Sequence, residues 1–90
     1  MENLGYVFER PTQNKNGKWN SVEICYDEQN EFLDATSKLV KMFKSPDGDG
    51  KCIVMDTNDS SKYILDVVHT SFDAENNIVT LFPFNCEQVK

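Results

Sequence analysis

The chain has 90 residues, 39% of them hydrophobic, with six Phe, three Tyr and one Trp, and carries a formal charge of −6 at pH 7. Residues 1–90 are one domain's length, and the apolar content excludes a disordered tail. The negative charge weighs against non-specific nucleic-acid binding and against an anionic membrane surface, since both would repel it.

In chain order, residues 6–10 form a short β-prone run closed by Pro11. Residues 12–18 are polar and contain Asn16-Gly17, a dipeptide suited to a turn with positive φ. Strand character resumes over 19–26, with Val22, Ile24 and Tyr26 on one face and Ser21, Glu23 and Cys25 on the other. These two runs are expected to pair as a hairpin.

Residues 27–44 carry helical periodicity, with Phe32, Leu33, Thr36, Leu39, Val40 and Phe43 at helical offsets. Asp27 or Asn30 is the expected N-cap. Acids crowd the first turns and Lys38, Lys41 and Lys44 the last, which suits the helix dipole. The stretch 45–50, with Pro46, Gly48 and Gly50, is expected to end the helix. Three strands follow, over 51–57, 62–71 and 77–84, with polar turns between them. Pro83 marks the end of the last strand as an edge or terminus.

The predicted fold is therefore α+β with order ββαβββ. About five strands form a mostly antiparallel sheet with one amphipathic helix packed on one face. The expected core is Val22, Ile24, Phe32, Leu39, Val40, Phe43, Ile53, Leu65, Val67, Val79 and Leu81.

Catalytic signals are weak. His69 is the lone histidine and reads as an ordinary strand side chain, with no nucleophile or orienting partner near it in sequence. Cys25, Cys52 and Cys86 are widely spaced, without the C-x-x-C pattern of a zinc or redox site, and read as reduced thiols. Asp47-Gly48-Asp49-Gly50 invites a calcium reading, but Lys51, Cys52 and Asn58 occupy the fifth, sixth and twelfth positions of such a loop. No phosphate-binding glycine motif or esterase motif is present. The N-terminus lacks a basic stretch followed by an apolar one, and no apolar run approaches a membrane span. The expectation is a soluble, cytoplasmic, non-enzymatic protein without metal or cofactor.

The charged residues point to binding. Glu23, Asp27, Glu28, Glu31 and Asp34 fall within twelve positions, with no Lys or Arg among them. If they share a face, their spacing imitates a row of phosphates that a basic protein groove would accept. The aromatics of the strands read mostly as core, because base-stacking faces travel with basic residues. Trp19, beside the Asn16-Gly17 turn, is the expected exposed contact residue.

One stretch adds to this. Residues 68–76, VHTSFDAEN, resemble one β-hairpin of the phage uracil-DNA glycosylase inhibitors, which are acidic DNA mimics. The resemblance covers nine residues. It departs from the family pattern in having strand 51–57 between the acidic elements and the hairpin, so no residue role is carried over. The expected partner is a protein with a basic, nucleic-acid-handling surface, without direct contact to nucleic acid or membrane. Glu23, Asp27, Glu28, Glu31, Asp34 and Trp19 are the candidate contacts. The rival expectation is an assembly module that forms a homodimer or pairs through a sheet edge.

Overall fold

The computed structural model describes residues 2–44 and 50–89. The elements are β1 (Glu2–Val7), β2 (Val22–Cys25), α1 (Gln29–Lys44), β3 (Lys51–Asp56), β4 (Lys62–Asp73) and β5 (Ile78–Val89). The five strands share one mixed sheet in the order β1-β3-β4-β5-β2. β1 runs parallel to β3, and the other three pairings are antiparallel. The architecture is the expected α+β domain in the expected element order.

The opening hairpin is corrected. β1 and β2 do not pair with each other; they are the first and last strands of the order. The physical reason lies in residues 12–20, which use their turn chemistry on themselves. Asn20 N–H bonds the Thr12 carbonyl at 2.9 Å, Asn14 N–H bonds the Lys18 carbonyl at 2.8 Å, and Gln13 bridges to Trp19. Gly17 supplies the positive φ, at 78°. Asn16-Gly17 therefore closes a miniature hairpin inside the connection, which leaves β1 free to pair elsewhere. Its partner, β3, lies beyond the helix, as a parallel pairing requires a crossover.

The helix begins at Gln29, so neither Asp27 nor Asn30 caps it. Glu28 holds the N-cap position, its carbonyl accepting the Phe32 N–H at 3.2 Å. Of the expected stop signal, residues 45–49 lie outside the described residues. Gly50 is described. It has φ 69°, and its carbonyl accepts the Val67 N–H at 2.9 Å.

β4 and β5 form a long hairpin, closed by residues 74–77 with Asn77 at φ 55°. It contains the stretch that resembles the inhibitor hairpin. Pro83 does not end β5, which runs on to Val89. The β4–β5 register shifts between Asp66 and Val67 and again between Val67 and His69, on either side of the Val67–Pro83 pair. A proline has no N–H to give a ladder, and such bulges are where a strand tolerates one.

One face of the sheet packs against α1. Leu4, Val7, Val22, Ile24, Phe32, Ala35, Leu39, Cys52, Val54, Tyr63, Leu65, Val67, Val79 and Leu81 form the core. Three expected members are corrected. Ile53 is half-buried because β3 turns Cys52, Val54 and Asp56 inward instead. β3 has apolar residues on both alternating faces, so the strand alone does not reveal which face is buried. Val40 and Phe43 are 39% and 44% exposed, since Phe32, Ala35 and Leu39 define the inward stripe of the helix.

Asp56 is the one buried charged residue among those described, at 1% exposure. Its carboxylate accepts the Asn58 N–H at 2.8 Å and lies 3.5 Å from Arg10 Nε. Arg10 also reaches Asp59 at 3.1 Å. The β3–β4 turn is thereby tied to the segment that follows β1.

Candidate acidic binding cleft

The sheet curls until its two outer strands approach each other. A Cβ placed on Gly5 would lie 3.7 Å from Ile24 Cγ2 and 3.8 Å from Tyr26 Cε1. Tyr26 OH donates a 2.5 Å hydrogen bond to the Leu4 carbonyl and so links the end of β2 to β1. Burial first, then electrostatic interaction with Cys52, Glu31 and Asp34, raises the Tyr26 pKa above the ordinary phenol value. The phenol stays a proton donor at neutral pH.

Above this junction is a cavity of about 620 Å³. Leu4, Gly5, Ile24 and Tyr26 line it along with Tyr6 and Phe8. Asp27, Glu31 and Asp34 line it from the β2–α1 connection and the helix. Lys38 also lines it, with its ammonium 3.1 Å from Asp34. Three carboxylates and one ammonium leave the lining with a formal charge of −2. Phe8 is 66% exposed, and it also lines a second depression of about 400 Å³.

The six candidate residues do not form one surface. Asp27, Glu31 and Asp34 come together in the cleft. Glu28 is exposed at the helix N-cap and lines neither depression. Glu23 is separated from the helix acids, because strand alternation turns it away from the helix-covered face. It lines the second depression with Glu9 and Arg10, so a cation sits among its neighbours. Trp19 is half-buried and held in the Gln13 bridge, outside both depressions. Its expected role as the exposed aromatic falls to Phe8. The sequence places Phe8 inside the β-prone run 6–10, with no separate signal for it; the structure ends β1 at Val7 and leaves Phe8 exposed just beyond.

The catalytic candidates remain scattered. His69 is exposed and stacks on Phe82, with ring centroids 5.3 Å apart. Cys25 is exposed, Cys52 buried and Cys86 half-buried, and none is in a disulfide. Burial, then the charge of Glu87, pushes the Cys86 thiol up to about 11. It is therefore a poor nucleophile near neutral pH. Among the described residues no cluster of three or more His, Cys, Asp or Glu is arranged to hold a metal ion. Nor is any helix among them long and apolar enough to cross a membrane.

Comparison with known proteins adds no family: no family model, curated protein or solved structure matches this chain.

Proposed function

We propose that this chain is a small acidic protein-binding domain that occludes a basic, nucleic-acid-handling surface of a target protein and performs no catalysis of its own. Phage-encoded inhibitors of host enzymes and immunity proteins of toxic nucleases work in this style. The observation that carries the reading is the cleft, where Asp27, Glu31 and Asp34 stand near Tyr6, Phe8 and Tyr26. A Lys or Arg side chain entering it meets carboxylates at its charged head and aromatic rings along its stem. The overall charge of −6 adds steering toward a basic partner.

The test compares tagged wild type with an Asp27→Lys/Glu31→Lys double variant as bait in host-cell lysate. Both residues are exposed, so circular dichroism should show an unchanged fold. The expected result is one nucleic-acid-binding protein retained by wild type at low salt. It should be released by high salt or by excess duplex DNA, and not retained by the variant. A partner held equally by the variant and indifferent to salt and DNA would overturn the reading, as would recovery of the bait alone.

A further inference from the structure

Among the described residues, β5 is paired on only one side over most of its length. β2 covers it from Ile78 to Leu81, where Val22 ends the ladder. From Phe82 to Val89 its pairing is with β4 alone. Among the described residues, no backbone hydrogen bond made outside the ladders reaches 82–89. The opposite edge of the sheet is different. There Tyr26 OH already occupies the Leu4 carbonyl and Ile24 packs beside Gly5. Phe84 and Val89, near the two ends of the free stretch, are 65% and 41% exposed.

We propose that this free edge of β5 pairs antiparallel with the same edge of a second copy of the chain, about a two-fold axis at Cys86. The sequence of the edge selects both the occupant and the register. Facing residues must share a face of the joined sheet, so the axis must pass through a residue and not between two. An axis at Glu87 sets Glu87 against Glu87 of the second copy, and like charges directly opposite destabilise a pair. An axis at Asn85 sets Glu87 against Pro83, which has no N–H to give, and Cys86 against Phe84, where the β4–β5 ladder is already shifted. An axis at Cys86 sets Asn85 against Glu87 of the second copy, twice per dimer, and moves Pro83 out to the last pair, opposite Val89, where one missing bond interrupts nothing beyond it. Asn85 Nδ2 donates to Asp66 at 3.1 Å, and its second amide hydrogen remains for that carboxylate. The same register places Phe84 of each copy beside the Gln88–Val89 end of the other and removes apolar surface from water.

None of residues 82–89 lines the acidic cleft, so the dimer leaves the cleft open and stands or falls separately from the proposed function. The net charge opposes association at long range, but at physiological salt it is screened beyond about 8 Å.

Sedimentation of the purified chain from micromolar to submillimolar concentration, at physiological salt, tests the proposal. The expected result is a reversible monomer–dimer equilibrium that Asn85→Lys tightens several-fold. That variant would place two ammonium groups against two Glu87 carboxylates, while its charge also suits Asp66 within each copy. Amide exchange is the second readout. Protection in 82–89 should rise with concentration, while protection in β1 should not change. A monomer throughout for both proteins would overturn the proposal. So would a dimer that Asn85→Lys does not tighten, or one whose concentration-dependent protection lies outside 82–89.

Discussion

Tyr26→Phe is the sharpest test of how the two outer strands are held. The substitution removes one oxygen and keeps the ring against Gly5. What is lost is the 2.5 Å bond to the Leu4 carbonyl, in a residue only 4% exposed. An intramolecular hydrogen bond is worth about 1 kcal/mol net, and stranding a buried carbonyl adds to the loss, so the expected cost is about 1–2 kcal/mol. For a domain of this size that lowers Tm by roughly 4–16 °C. Urea unfolding followed by tryptophan fluorescence should show a lower midpoint at unchanged slope. A second arm uses pH. The folded state raises the phenol's pKa, so the unfolded chain releases this proton first as pH climbs. The phenol's contribution is whole below the ordinary value of about 10 and declines above it. Wild type should therefore lose stability in that alkaline range, and Tyr26→Phe should lose less. A cost under about 0.5 kcal/mol, with the same alkaline slope in both proteins, would refute the hydrogen-bond account and leave apolar packing as the link.

Gly50→Ala should cost about 1–2 kcal/mol in the same assay, because its φ is 69° and an added Cβ would sit 3.0 Å from the Val67 carbonyl oxygen. Asp56→Ala should cost about 1–3 kcal/mol by stranding the Asn58 N–H, whereas Asp59→Ala, at the exposed end of the Arg10 pair, should cost under about 1 kcal/mol. Phe43→Ser should change stability by no more than about 0.5 kcal/mol, since Phe43 lies outside the core; a cost near that of a core deletion would contradict this placement. Asp73 has its pKa lowered, first by the Asn76 side-chain bond, so this turn contributes stability above the ordinary carboxylate range and loses it as pH falls through the lowered value. Asp73→Asn should flatten that part of an acid titration of Tm.

The helix and the β3–β4–β5 meander were legible because their signals are local. The helical spacing located the helix and two of its buried residues, Phe32 and Leu39, but the stripe it drew took in exposed Leu33, Val40 and Phe43 and passed over the small buried Ala35; short polar turns join the later strands. Pairing partners were less legible. Asn16-Gly17 is a sound hairpin signal, but it does not specify which residues the hairpin joins. A parallel partner on the far side of a helix leaves no periodicity in β1. The candidate site was read in part for the same reason. Asp27, Glu31 and Asp34 share a helix end and its approach, so sequence proximity became spatial proximity. Glu23 is close in sequence and separated in space, because one step of strand alternation changes its face. Phe8 became visible only when β1 was brought beside β2.

The pairing of β1 with β3 bears on how the chain reaches this structure. The Thr57 hydroxyl bonds the Val7 carbonyl at 2.9 Å across fifty positions of sequence. Closing so long a loop carries an entropic cost that the local turns of the meander do not. β1 also has no template until β3 is in place, so this topology favours an order in which β1 docks after the meander has formed. The cleft is built between this strand, β2 and the helix. In that order the acids of the helix would be present in a partly folded chain, and the wall that carries Tyr6 and Phe8 would arrive with the docking of β1. Recognition that depends on both walls would then report completed folding, and a chain with β1 undocked would show a partner only half of the site.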